Sequence, residues 1–181
     1  MTLLIFGLIL WIGLHFWKRM APAHRARFEG RGKLIVTVGS FAAIGLMILG
    51  YRMAEGAVYW GRTPVMVGVN NLLMLLAFYL FAASGAKTRI TQIVRHPQLM
   101  AVCVWSVAHL LVNGDIESFM LFGGMLVWAL AEMVVISGAE GPRAPYVPVP
   151  RKKEVTAVVA AVVVMVAVSA IHILLGVNPF G

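Results

Sequence analysis

Histidine is the residue type with the widest chemical capacity in this sequence, which contains five copies in 181 residues. His15, His109 and His172 lie within strongly apolar stretches, whereas His24 lies in a basic segment. A neutral imidazole is tolerated at depth in a membrane, and it ligates haem iron and transition metals. Hydrogen bonding between helices is the other common role for a histidine in such a setting. The residue types therefore point to haem or metal ligation, with helix pairing as the competing interpretation.

Two of these histidines each follow a tryptophan by four residues. The pairs are Trp11 with His15 and Trp105 with His109, and at 3.6 residues per turn each indole lies about one turn from its imidazole. Bis-histidine haem ligation in a helical bundle needs two buried histidines on different helices, and flat aromatic neighbours suit it. We predict His15 and His109 as the axial ligands of haem iron, with His172 as the reserve ligand. The tryptophans could equally be interfacial or packing residues.

Other polar residues flank this predicted site. Arg95 is predicted to hold haem propionates near the inner surface of the membrane, unless it serves only as a topology charge. Glu132 could pair with Arg95 or Lys18, or orient His15 through its second ring nitrogen. On a continuous helix, His96 lies about 140° around the axis and about 20 Å along it from His109. We therefore expect His96 and His109 not to share a pocket.

The elements that position these side chains are predicted to be membrane helices. The chain is 61% hydrophobic and 12% charged, with a mean hydropathy of +0.90. A membrane span needs roughly 20 apolar residues, so six spans leave about 60 residues for loops and no room for a soluble domain. We predict an all-α integral membrane protein, a single transmembrane domain over residues 1–181, which excludes a water-soluble enzyme and a DNA-binding module. Its six helices are predicted at about 2–17, 34–54, 65–84, 98–113, 117–136 and 155–176.

The basic residues predict how this bundle is oriented. Of the 15 Lys and Arg residues, 13 lie in the first, third and fifth loops. Cytoplasmic loops carry such an excess, so we predict both termini on the outer, periplasmic side and infer no nucleic-acid partner from the +8 charge. The fifth loop, 138–150, has four prolines and is predicted to be an exposed, extended connector. Cys103 is the sole cysteine, which excludes an intramolecular disulfide and a multi-cysteine metal site.

Several motifs together carry a resemblance to a known family. They are Gly13-Leu14-His15, Arg31-Gly32, Gly50-Tyr51-Arg52 with Trp60, Arg95-His96-Pro97-Gln98, the segment 105–118, Leu121-Phe122-Gly123-Gly124, and His172 with Gly176-Val177-Asn178-Pro179. Over essentially its whole length the chain resembles the NnrU family of bacterial membrane proteins. The resemblance implies a multi-pass protein of the bacterial inner (cytoplasmic) membrane that is linked to nitrite and nitric oxide metabolism in denitrification. The partners it implies are the lipid bilayer, other membrane proteins of nitrogen-oxide metabolism and a hydrophobic small molecule.

The plant relatives of this family resemble 15-cis-zeta-carotene isomerase, a membrane enzyme that carries haem b. By position, the resemblance makes His15 and His109 the haem ligands and implies redox or isomerase-like action. The isomerase has a cysteine three residues before its second histidine, where this chain has Ser106. A hydroxyl is a poor ligand in that role. Ser106 therefore argues against a redox exchange of ligands in this chain and against the isomerisation that depends on it.

Two further functions remain open at this point, and with them the question of whether the chain is an enzyme. Gly123, Gly124 and the Ala-rich last stretch favour close helix packing, as in a non-enzymatic assembly or partner protein. The element Arg95-His96-Pro97 also resembles membrane methyltransferases of the isoprenylcysteine type. Bound haem, co-purification with a membrane partner, or binding of S-adenosylmethionine distinguishes the three.

Overall fold

The computed structural model describes residues 1–142 and 145–180 of the chain. Arg143, one of the 13 basic residues of the first, third and fifth loops, and the side chain of Glu29 lie outside the described part. The fold is a helical bundle with one very short pair of strands. Its helices are α1 (Thr2–Met20), α2 (Pro22–Ala26), α3 (Gly32–Arg52), α4 (Pro64–Ala86), α5 (Ile90–Ile93), α6 (Pro97–Val112), α7 (Ile116–Ser118), α8 (Gly124–Glu140) and α9 (Arg151–Leu174).

With α7, the π-helical segment and α8 taken as the continuous segment Ile116–Glu140, the long helices agree with the predicted apolar stretches to within four residues at each end. Within residues 1–142 and 145–180, five helical segments are long and apolar enough to cross a membrane, namely α1, α3, α4, the continuous segment Ile116–Glu140 and α9. The sixth apolar helix, α6, has 16 residues and at 1.5 Å per residue is about 24 Å long. Proline begins both α4 and α6, where its missing N–H leaves no hydrogen bond unmade. Thr63 caps α4 by accepting a hydrogen bond from the Met66 amide.

Two features were absent from the sequence-based expectations. The first is an antiparallel pair of strands, β1 (Val58–Trp60) with β2 (Gly114–Asp115). The Trp60 ring lies directly on Gly114, where a Cβ would overlap it. The second is a π-helical segment, Phe119–Gly123, which joins α7 to α8. The strand pair brings the start of α4 beside the start of α7.

The loops fall at two opposite ends of the bundle. At the hairpin end, which contains β1 and β2, Leu4 packs on Gly50 and the Arg62 guanidinium donates to the Asn178 carbonyl. At the basic end, Arg19 approaches Glu140 at 4.0 Å. There the side-chain amide of Gln92 also exchanges hydrogen bonds of 2.8 and 2.7 Å with the backbone of Val147. Leu4 and Asn178, near the two ends of the described chain, therefore lie toward the hairpin end.

This arrangement fixes the direction of α6. Helix α4 begins next to the hairpin end, and the Gln92 loop that follows it lies at the basic end. The next long segment begins at Ile116, back at the hairpin end. Helix α6 therefore runs the length of the bundle between these two ends.

Packing follows the order α3, α1, α8, α6, α4, α9. Helix α1 lies along α3, α6 lies between α8 and α4, and α9 lies along α4. The core cluster between α1, α6 and α8 contains Leu8, Cys103 and Trp128. Cys103 is buried in that cluster as a free thiol.

Candidate functional site

The main cavity of the bundle has a volume of about 720 Å³ and is lined by α1, α4, α6, α8 and α9. Pockets that bind cofactors and drug-sized ligands have volumes of roughly 300 to 1,000 Å³. All six residues predicted for a site line this cavity. They are His15, His109, the reserve ligand His172, Trp11, Trp105 and Arg95. The fold thus brings together side chains that are up to 161 positions apart in the chain.

His96 also lines the main cavity, so the expectation that it shares no pocket with His109 was wrong. The helical-wheel argument assumed that His96 belongs to α6. Instead, His96 is the residue before the helix, with φ −126° and ψ 70°, and its direction does not follow the helical period. Its Nε2 lies 2.8 Å from the Ser137 hydroxyl on α8, so its imidazole is held at the basic end of the cavity.

The three histidines that lie within apolar helices share one hydrogen-bonding arrangement. The Nδ1 atoms of His15, His109 and His172 lie 2.8, 2.9 and 2.9 Å from the carbonyl oxygens four residues earlier in the chain. A carbonyl oxygen can only accept, so each Nδ1 carries the proton and each Nε2 keeps its lone pair. Among the residues that the structure describes, these three Nε2 atoms have no hydrogen-bond partner. Donation of the second ring nitrogen to a carbonyl is also how metal-binding histidines are oriented.

Aromatic rings hold His15 in place. The ring of Trp11 stacks on it at 4.2 Å between centroids, and Trp128 meets it edge-on at 5.0 Å. Trp11 and Trp128 themselves form an edge-to-face pair at 5.3 Å. Such ring pairs contribute about 0.5 to 1.5 kcal/mol beyond the burial of their area. The imidazole is therefore fixed by two indoles and one hydrogen bond.

His109 is held in a similar way by other rings. Phe122 stacks on it at 4.6 Å with an interplanar angle of 28°, and Trp105 lies at 5.2 Å. Phe122 belongs to the π-helical segment, and π-bulges of this kind often occur at functional sites. The wider π turn shifts the helical phase just where Phe122 faces His109.

Sequence reasoning missed Phe122 and Trp128. A signal for Trp128 was present, because Trp128 precedes Glu132 by four residues, which repeats the spacing of Trp11 and His15. The role of Phe122 depends on the π turn, and no periodic pattern in the sequence marks that turn.

Three polar atoms around the main cavity are buried and have no hydrogen-bond partner among the described residues. They are Nε1 of Trp11, Nε1 of Trp128 and Oε2 of Glu132. The predicted pairing of Glu132 with Arg95 or His15 is absent from the described hydrogen bonds and ion pairs, and Glu132 is 7% exposed. Unpaired donors beside an unpaired acceptor are suited to a ligand that carries polar groups into an otherwise apolar cavity.

Arg95 closes the basic end of the main cavity. Its guanidinium donates to the carbonyl oxygens of Ser137 and Gly141 and lies 3.9 Å from the Glu140 carboxylate. These contacts tie the α5–α6 loop to the end of α8. An acidic group of a ligand at this end would therefore share Arg95 with Glu140.

A second cavity of about 430 Å³ opens toward the hairpin end. His109, His172 and Trp105 line both cavities, so the two cavities meet at these side chains. His109 thus stands between a large apolar cavity and a smaller one. Within the described part of the chain, no cluster of three or more His, Cys, Asp or Glu side chains could hold a metal ion by itself. Haem iron takes four ligands from its own porphyrin and requires only one or two axial side chains from the protein.

Comparison with known proteins gave one match. The model of a protein family described as NnrU protein matches residues 3–179. Neither a curated protein nor a solved structure matches the chain.

Proposed function

The chain belongs to the NnrU family, and from this premise we propose that it is a haem b-binding integral membrane protein that acts in nitrite and nitric oxide metabolism. The observation that carries the haem proposal is the state of His15 and His109. Both imidazoles line one 720 Å³ cavity from different helices, and both present an Nε2 lone pair with no partner among the described residues. The denitrification link comes from the family resemblance alone.

The residues around the cavity suit such a cofactor. His15 and His109 would hold the iron axially, Trp11 and Phe122 would keep the two imidazoles in orientation, and Arg95 would face the propionates at the basic end. Bound haem with two histidine ligands would supply one-electron chemistry. The apolar walls of the cavity would shield that chemistry from water.

Ser106 takes no part in this proposal. Its side chain is fully buried, and it lies among the lining residues of neither cavity in the described structure. A redox exchange of ligands between this position and His109 would require α6 to rotate. We therefore propose a haem whose action does not involve Ser106, and we do not extend the isomerase reaction to this chain.

We further propose six membrane spans, with both termini on the periplasmic side of the bacterial inner membrane. Support comes from α6, which runs from the basic end to the hairpin end although its length is only about 24 Å. A span shorter than the roughly 30 Å hydrocarbon core is accommodated by local thinning of the bilayer. The Lys and Arg residues of the basic end favour the cytoplasm for that end.

The test is an absorption spectrum of the protein purified in mild detergent from cells supplied with a haem precursor, combined with a pyridine haemochrome assay. We expect a Soret band and the haemochrome of haem b. Wild-type protein made with ample haem and isolated without a Soret band would overturn the proposal. Co-purification with a membrane partner in that case would favour an assembly role.

Variants identify the ligands. His109→Ala should abolish the Soret band or shift it strongly, whereas His24→Ala should leave the spectrum unchanged. His24 is the matched control because its ring lies outside both cavities and accepts a hydrogen bond from the Trp17 indole. A spectrum that is insensitive to His15→Ala but lost in His172→Ala would assign the second axial position to His172.

A further inference from the structure

The second cavity has mostly apolar walls, and it also contains polar side chains that the proposed haem site does not use. It lies between α3, α4, α6, α9 and the C-terminal segment. Polar side chains inside a membrane protein are costly, and they commonly mark a pathway or a binding site. The polar set that lines this cavity includes Arg52, Arg62, Asn70, Asn71, Asn113 and Ser169.

Asn70 is the buried member of this set. It is 8% exposed, and its Nδ2 donates to Oδ1 of Asn71 at 3.1 Å. Its own Oδ1 is buried and has no hydrogen-bond partner among the described residues. An acceptor that leaves water without gaining a donor carries its full desolvation penalty. A ligand in this cavity that brings an N–H or O–H group would remove the penalty.

Two arginines line the second cavity at its exposed side. Arg52 and Arg62 are both exposed there, and Arg62 donates one of its N–H groups to the Asn178 carbonyl. No acidic side chain is among the described residues that line the cavity. Glu117 and Asp115 lie outside the lining, where Glu117 accepts a hydrogen bond from the Gly56 amide and Asp115 caps the start of α7. Two cations without a lining acid favour an anionic ligand.

These observations define the class of ligand. We propose that the second cavity binds a small organic anion that has its own hydrogen-bond donor, such as a short hydroxy acid. Its carboxylate would pair with Arg52 and Arg62 at the mouth. Its hydroxyl would donate a hydrogen bond to Oδ1 of Asn70. A ligand held there lies against His109 and His172, where the two cavities meet. The binding itself requires no haem.

The test compares two acids that differ by one hydroxyl. Isothermal titration of the purified full chain in a neutral detergent should show glycolate binding about fivefold more tightly than acetate, because a net hydrogen bond contributes about that factor. Asn70→Leu should remove the preference while both acids still bind. Arg62→Gln should weaken both acids. Arg31→Gln, at the basic end, is the matched control and should change neither.

Equal affinities for the two acids in the wild-type protein would overturn the proposal, as would the absence of binding by either acid. The comparison of glycolate with acetate uses the wild-type protein, so it tests the proposal even if the Asn70→Leu protein fails to fold. Phosphatidylglycerol that displaces acetate and glycolate equally, with no preference between them, would assign the two arginines to a lipid phosphate and also refute the hydroxy-acid site. A chain that binds glycolate but shows no Soret band would refute the haem proposal alone.

Discussion

Close packing of α1 on α3 gives a sharp prediction about stability. At Gly50 in α3, a Cβ would lie 2.7 Å from Cα of Leu4 and 2.8 Å from the carbonyl carbon of Leu3. At Gly45 in the same helix, a Cβ would meet nothing within 4 Å. The single methyl group of alanine therefore meets backbone at one position and open space at the other.

The magnitude follows from these distances. Carbon atoms pack best at about 3.5 to 4.0 Å, so Gly50→Ala requires the two helices to separate by about 1 Å. Backbone atoms cannot avoid the methyl group by changing rotamer, and overpacking of this kind costs about 1 to 3 kcal/mol. Gly45→Ala instead removes backbone freedom from the unfolded chain and should stabilise the helix by about 0.5 to 1 kcal/mol. The two substitutions should therefore act in opposite directions.

Thermal unfolding in detergent, followed by circular dichroism, measures the difference. For a chain of this size, 1 kcal/mol shifts Tm by about 2 to 4 °C. A cost of about 2 kcal/mol then predicts that Gly50→Ala lowers Tm by about 4 to 8 °C, whereas Gly45→Ala raises it slightly. The reasoning is refuted if Gly50→Ala is as stable as Gly45→Ala. A displaced α1 also carries His15, so the haem spectrum should broaden in the Gly50 variant alone.

Two further predictions concern the orientation of the bundle and the wall of the cavity. In a Cys103→Ala background, Gly30→Cys and Gly61→Cys should react with a membrane-impermeant maleimide from opposite sides of the membrane. Both Cβ positions are open, and they lie at opposite ends of the bundle. Labelling of both cysteines from the same side would contradict six spans. Phe122→Leu removes the ring that stacks on His109 and should cost about 0.5 to 1.5 kcal/mol in thermal unfolding. An unchanged Tm in that variant would show that the stacking contributes nothing.

The sequence predicted the long helices well because apolar length alone specifies a span. With Ile116–Glu140 taken as one segment, their predicted and observed ends agree to within four residues. Pro64 begins α4, one residue before the predicted start of that helix. The charge asymmetry also agrees with the structure in one respect. The residues of the first, third and fifth loops meet through Arg19 and Glu140, and through Gln92 and Val147.

What the sequence could not predict depends on departures from regular helix geometry. The sequence-based argument placed His96 on the helical wheel of α6, although His96 precedes that helix. Its backbone does not follow the helical period, and its side chain lines the main cavity together with His109. The π turn moved Phe122 onto His109 without any signal in the hydrophobic period. The strand pair rests on Gly114, whose lack of a side chain admits the Trp60 ring. In each case a local backbone irregularity, rather than the apolar pattern, positions a functional or structural side chain.

The five histidines divide by what their ring nitrogens do, and this division decides which variant tests the haem proposal. His24 and His96 use their rings in contacts to Trp17 and Ser137. His15, His109 and His172 are anchored through Nδ1 to their own helices, so the lone pair of Nε2 is set by local helix geometry, before any ligand is bound. His15 lines the 720 Å³ cavity, whereas His172 and His109 each line both cavities. Haem that survives His109→Ala unchanged would refute the proposed ligand set, whichever second histidine is chosen.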